Sequence, residues 1–268
     1  MQRSGQKQQQ DDGSDLIYWI WLTKIPGIGV KTGRALLEGF GWNPKRIYEA
    51  DETEYRGIKD IGEMRVKNLA NNKNLDCAKR IYDDCVRKHI SIMTLRDPAY
   101  PDIAKCLPDM PLYLYYKGKL MKNLNGVAIV GARRCTASGK EKAVKLAYKA
   151  VTSGEAVISG MAKGIDSYAH TACLKTGGYT VAVLGNGLDI CYPDEHRLLQ
   201  QRIEENGALI SEYEPGVQPQ KVFFPCRNRL IAAFSKKIYI IEAGFKSGAL
   251  ITGDYGQKYG RHVIEISQ

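Results

Sequence analysis

The sequence predicts an α/β protein: a Rossmann-like, doubly wound, mostly parallel sheet, preceded by a small all-helical module of the helix-hairpin-helix (SAM-like) kind. Three observations carry this expectation. Beyond Asn125, short apolar runs alternate regularly with stretches of helical period, as strands and crossover helices of a parallel sheet do. Most of those runs are apolar throughout, as strands covered on both faces should be. Ahead of them, Asp15 to Phe40 reads as helix, Pro-Gly-Ile-Gly turn, helix.

At 268 residues the chain is long enough for one large domain and one small one. The expected division is a tail over 1–14, a helical module over 15–88 and a Rossmann-like core over 89–268. The tail, MQRSGQKQQQDDGS, is polar, lacks the apolar segment of a signal peptide and is expected to be disordered. In the module, Leu16, Trp19, Ile20 and Leu22 have helical spacing, Ile25-Pro26-Gly27-Ile28-Gly29 interrupts, and a second helix runs from Val30 to Phe40. Backbone N–H groups at the start of such a second helix can grip one DNA phosphate without reading sequence. Lys24, Gly27, Gly29 and Lys31 are the candidate duplex-phosphate contacts, with Arg34 close by. The alternative is a compact helical module that uses glycine only to turn the corner. A weaker echo at Ile58 to Glu63 leads into a helix over 64–69, where Asp60 and Glu63 disfavour phosphate. One more helix is expected over 75–88.

His89 to Leu95 and Leu112 to Tyr116 look like strands that pack on or extend the main sheet. In the core, strands are expected at 127–131, 156–160, 180–184, 208–211, 237–242 and 262–266. Helices are expected at 138–153, 166–176, 195–206, 226–235 and 247–259. Ser138 with Glu141 three residues on has capping-box spacing for the first of these helices.

Hydrophobic content of 44% and charged content of 25% are those of an ordinary globular chain. No apolar run is long enough to span a bilayer, so no membrane partner is expected. Seven cysteines without any C-x-x-C, and without a secretion signal, suit a reducing cytoplasm. A formal charge of +10 suits a polyanionic partner.

Chemistry is expected at the carboxyl ends of the strands, where helix N-termini present free N–H groups. Gly131-Ala132-Arg133-Arg134 follows the first core strand, and Ser159-Gly160 with Lys163 follows the second. Both loops combine glycine with a cation, which favours an anion, with a phosphate on the first helix N-terminus near Arg133. The pattern is not G-x-G-x-x-G and no acidic residue ends the second strand, so a dinucleotide is disfavoured. Lys221 and Phe223-Phe224-Pro225-Cys226-Arg227-Asn228-Arg229 place aromatics beside cations, the combination that an unpaired strand requires: a ring for a base and charge for the backbone. The alternative is that one Phe is core and the arginines brace neighbouring carboxylates; which of Phe223 and Phe224 is buried is left open. In the loop Gly185-Asn186-Gly187 with Tyr192-Pro193, the glycines could let the backbone approach a ligand or simply turn the chain, and Ser247-Gly248 at the last helix could donate N–H groups. Asp166 and His170 are i,i+4 and could pair, and Glu212 and Glu242 are possible acids, but no nucleophile, base or metal set is evident. Neither enzymatic activity nor a cofactor is expected.

Taken together, Ala128 to Arg133, Ser159 to His170, Val183 to Asp189 with Tyr192-Pro193, and Phe224 to Ala232 resemble the DNA-processing protein A (DprA, or Smf) family. Thr94, Asp97, Tyr100-Pro101, Pro111 and Lys117-Gly118 resemble its lead-in, so the likeness covers residues 90–266. The resemblance implies a non-enzymatic, cytoplasmic binder of single-stranded DNA that protects incoming strands, helps load a RecA-type recombinase, notably in natural transformation, and works as a homodimer. Carried over by motif, the strand-binding residues are Arg133 in its Gly131-Ala132 loop, Lys221 and Phe224, with Lys163, Arg227 and Arg229 assisting; the strand-end reading adds Ser159 and Gly160 to the single-strand candidates. Ala132 stands where the family usually has Ser, which removes a hydroxyl and leaves the backbone N–H. Relatives usually continue past the counterpart of Ile266-Ser267-Gln268, so a short or truncated member is expected. The competing class is a mononucleotide pocket, a sensor or a hydrolase in which Glu242 acts on the ligand; a third is a protein adaptor whose basic surface is incidental.

Overall fold

The computed structural model describes residues 14–245 and 247–267, and the chain divides into two compact units between Asp83 and Asp84. The expected tail over 1–14 lies outside the described residues except for Ser14, which opens the first helix.

The first unit contains α1 (Ser14–Lys24), α2 (Val30–Gly39), α3 (Pro44–Glu49), α4 (Glu52–Arg56), α5 (Glu63–Asn71) and the start of α6 (Asp76–Arg87). Ile20, Leu22, Leu36, Leu37, Ile47, Tyr55, Val66 and Leu69 are fully buried and make its core. Between α1 and α2 the chain turns on Gly27, whose φ of +80° suits a residue without a Cβ. Two side chains of α5 brace that turn, Asn68 Nδ2 donating to Pro26 O at 2.8 Å and Arg65 Nε to Gly27 O at 3.2 Å. The sequence reading missed α3 and α4, although both carry start signals. Asn43 caps α3 with Pro44 in its first turn, and Asp51 and Glu54 form a capping box on α4.

The second unit follows: β1 (Ser91–Thr94), α7 (Asp102–Lys105), β2 (Tyr113–Gly118), β3 (Gly126–Gly131), α8 (Ala137–Thr152), β4 (Ala156–Ser159), α9 (Ile165–Lys175), β5 (Thr180–Leu184), α10 (Arg197–Asn206), β6 (Ala208–Ser211), α11 (Phe223–Ala233), β7 (Lys237–Ile241), α12 (Gly248–Lys258) and β8 (His262–Ile266). Its sheet has the order β1-β2-β6-β5-β4-β3-β7-β8. The strands from β3 to β8 pair in parallel, while β1 and β2 extend the sheet antiparallel beyond β6. Successive crossovers step outward from β3 to β6; α11 then carries the chain back to β7 on the other side of β3. The winding direction therefore reverses between β3 and β7, where a crevice opens at the carboxyl ends of the strands. Val127, Ile129, Val157, Ile165, Ala169 and Ile241 pack under α8, whose Ala143, Ala147 and Ala150 are small enough to bring the helix close to the sheet.

Two of the helix starts that differ from the sequence expectation lie at the crevice. The cap of α8 is Thr136, not Ser138: its Oγ1 accepts from Gly139 N at 3.1 Å. Helix α11 begins at Phe223, three residues before the expected 226, with Pro225 inside its first turn. Proline is tolerated there because a first-turn N–H has no intrahelical acceptor to lose. Among the described residues, no helix is long and apolar enough to cross a membrane.

Gly131 ends β3 at the crevice, and a Cβ there would lie 2.1 Å from Ile241 O and 2.8 Å from the Ile165 side chain. Gly131→Ala is therefore expected to lower stability by about 1–3 kcal/mol, the range for overpacking a tight interior, measured by urea unfolding.

Candidate functional site

The crevice between β3 and β7 holds a cavity of about 560 Å³. Its walls are the β3–α8 loop with Arg133, the start of α11 with Lys221 and Phe224, Tyr192, and the start of α12; Asp166 and Arg227 lie at its floor.

The floor is built around a buried cation. Arg227 Nη1 donates to Gly160 O at 2.8 Å and to Val183 O, and Nε donates to Asn228 Oδ1 at 3.1 Å. Gly160 makes room for it, since a Cβ would fall 2.6 Å from the guanidinium. The Asp166 carboxylate accepts from Gly160 N at 3.0 Å and lies within the field of Arg227. Burial raises the Asp166 pKa and lowers that of Arg227 to about 10, while each charge opposes the shift of the other. Ser159 is buried as well, its Oγ donating to Ile129 O at 2.7 Å. Of the three, Arg227 lines the cavity, while Ser159 and Gly160 lie outside the lining and Gly160 supports Arg227 from behind.

Above them stand two exposed cations, Arg133 and Lys221, neither of which has a partner among the described residues. Arg133 is near enough for its charge to depress the pKa of Arg227. Phe224 is half-buried; its ring centroid lies 5.4 Å from that of Tyr192 at 31°, and the Arg227 guanidinium is 6.0 Å from it. Phe223 is also half-buried and stacks on Tyr213 at 4.2 Å. Both phenylalanines therefore lean on a tyrosine, and Phe224 is the one that lines the cavity. Tyr192, 45% exposed, was absent from the sequence-derived site. Its signal was an aromatic beside Pro193 in the loop after a buried strand, which says nothing about which ring it meets.

Other expected contacts are committed elsewhere. Lys163 pairs with Glu195 at 2.6 Å in an exposed bridge outside the cavity lining. Arg229 makes two hydrogen bonds to the Glu212 carboxylate, at 2.6 and 2.7 Å, so the bracing alternative describes it. The Ala132 N–H, expected to remain for a ligand, donates to Ile241 O at 3.0 Å. At the N-terminus of α8, where a phosphate was expected, the chain supplies its own anion. Thr136 N donates to Glu242 Oε2 at 2.8 Å and the Thr136 hydroxyl donates to Oε1. These hydrogen bonds hold the Glu242 carboxyl below the ordinary carboxylate range. They also engage the residue proposed to act on a mononucleotide. Nor do Asp166 and His170 pair: His170 Nδ1 bonds Thr180 Oγ1 at 2.7 Å, and burial lowers its pKa to about 3.

In the first unit, Gly29 caps α2 without a side-chain hydrogen bond, and Lys24, Gly27 and Lys31 are all exposed at that turn. Gly62 opens α5 in the same way, but Glu63 beside it pairs with Arg56 at 2.7 Å.

Fold and site define a Rossmann-like α/β protein with a cationic, aromatic-walled cavity at the switch point of its sheet. The chain belongs to the DNA recombination-mediator protein A family, whose pattern it matches over residues 91–268; residues 22–71 match a SAM-like helix-hairpin-helix tandem. Protein Smf of Synechocystis sp. is 33% identical over 263 residues, which cover 94% of this chain and 65% of that protein. DNA processing protein DprA of Streptococcus pneumoniae is 39% identical over 186 residues, 66% of each chain. The chain thus spans just under two thirds of the length of these relatives. The X-ray structure of S. pneumoniae DprA superposes with a TM-score of 0.72 at 31% identity, covering 94% of this chain and 87% of that one. The Helicobacter pylori DprA structure, described for its single-stranded DNA binding mode, superposes with a TM-score of 0.59 at 33% identity, covering 68% and 83%.

The Glu242 contact has a pH signature. A carboxyl held below its unfolded pKa adds stability above that pKa, and loses it as pH falls through the folded value. Glu242→Gln should lower Tm at pH 7, and the gap to the parent chain should close as pH falls below the ordinary carboxylate range, followed by thermal melts across pH.

Proposed function

We propose that this chain binds single-stranded DNA in the cavity between β3 and β7 and acts as a recombination mediator. The observation that carries the reading is the meeting of two cations without a partner among the described residues, Arg133 and Lys221, with the Phe224–Tyr192 aromatic wall in one cavity. A partly exposed ring offers stacking only to a base that has left its own stack, and the cations suit the backbone on either side of it. Family membership and the binding mode described for the H. pylori relative support the same reading. Gly131 and Ala132 shape the loop that carries Arg133; Arg227 shapes the floor, with Gly160 and Ser159 behind it. Within this proposal the chain protects strands, assists a RecA-type recombinase and works as a homodimer in the cytoplasm, while Lys24, Gly27, Gly29 and Lys31 contact duplex phosphate.

Binding of oligo-dT, followed by fluorescence anisotropy across salt, tests the assignment. Arg133→Ala and Lys221→Ala should weaken binding and flatten the log–log salt slope by about 0.7 each, the single-strand value per phosphate contact. Phe224→Ala should cost about 1–3 kcal/mol without changing the slope. Identical slopes for all three variants would overturn the assignment, as would stabilisation by a mononucleotide and not by oligo-dT. Arg229→Ala should instead lower Tm and leave the salt slope intact, because its partner is Glu212.

A further inference from the structure

Helix α12 also meets the cavity, and among the described residues no carboxylate is bonded at its start. Ser247 caps it, with Oγ accepting from Ala249 N at 3.3 Å. The Gly248 N–H belongs to the first turn, where no intrahelical acceptor exists, and it has no partner among the described residues. Four residues on, and therefore on the same face, Thr252 also lines the cavity. It is 1% exposed, yet its Oγ1 has no hydrogen-bond partner among the described residues. A helical threonine commonly returns its hydroxyl to the carbonyl four residues back. Here that carbonyl, Gly248 O, accepts from Asn228 Nδ2 at 2.8 Å. The side chain of a helical residue leans toward the preceding turn, which sets Thr252 on the side of α12 that carries Gly248. A buried donor with no partner beside a free helix N-terminus is suited to an anion, and Arg133 and Lys221 line the same space. The acidic group nearby is Asp166 on the floor, whose charge is offset by Arg227.

We propose that the Gly248 N–H and the Thr252 hydroxyl form a phosphate subsite, holding a phosphate of the nucleotide whose base stacks on Phe224. The inference rests on the strand-binding reading of the cavity and deepens it, by assigning the phosphate to α12 in place of α8. The source is either an internal phosphodiester or a terminal 5′-phosphate.

The test uses the full chain, oligo-dT with a 5′-phosphate or a 5′-hydroxyl, and two variants. Thr252→Val removes the hydroxyl at constant shape and should weaken binding about 10-fold, the worth of a hydrogen bond to a charged group, with the salt slope unchanged. Thr252→Ser keeps the hydroxyl and should bind within about twofold of the parent on the same grounds. The Tm of Thr252→Val without DNA should equal or exceed that of the parent, because a buried, unsatisfied hydroxyl is removed; a structural hydroxyl would give the opposite result. A loss with both oligonucleotides identifies an internal phosphodiester, and a loss confined to the phosphorylated one identifies the terminal phosphate. If the parent chain binds and Thr252→Val binds equally well, or if Thr252→Ser loses as much as Val, the subsite is wrong while the cavity reading stands. If the parent chain binds neither oligonucleotide, both fall together.

Discussion

The buried Arg227 guanidinium is the contact on which the rest of the site depends. It joins the start of α11 to the ends of two strands, through Gly160 O beyond β4 and Val183 O in β5. Removing an arginine from water is costly, and the cost is recovered only because carbonyls, Asn228 and the nearby Asp166 charge surround it. Fixing that helix start also fixes Phe224 and Lys221, which belong to it or immediately precede it. The cation is therefore structural in its contacts and electrostatic in its effect: it holds the wall in place and adds positive potential beneath it.

The carboxylate of Glu242 imposes a second constraint. Bonded to Thr136 at the start of α8, it neutralises the helix end that a parallel sheet would otherwise offer to an anion. The Ala132 N–H is likewise consumed, by Ile241 O. What remains for a ligand on the β3 side is the Arg133 side chain, while on the α12 side backbone and hydroxyl donors are still available. The chemistry of the cavity is thus asymmetric: cationic side chains on one side and the neutral α12 start on the other.

Much of the architecture was legible from the sequence because it rests on local pattern. The apolar runs at Val127, Ala156, Thr180, Ala208, Lys237 and His262 each became a strand of one sheet, within a residue or so of the expected bounds. The short α3 and α4 were overlooked although Asn43-Pro44 and Asp51 to Glu54 announce them; they are too brief for periodicity to detect. At the site, the sequence marked the right segments and could not sort their side chains. Arg133, Lys163, Lys221, Arg227 and Arg229 are all cations near strand ends. One faces Glu195, one faces Glu212, one is buried under Gly160, and two are left exposed at the cavity.

What the sequence alone determined was the alternation of strands and helices, the hairpin turn on Gly27 and the family, since each follows from short-range spacing and residue type. Tertiary structure alone decided which charges are spent and which are available. Glu195, Glu212 and Glu242 lie 32, 17 and 106 residues from the groups they engage, and pairing across such distances is set by how helices dock on the sheet.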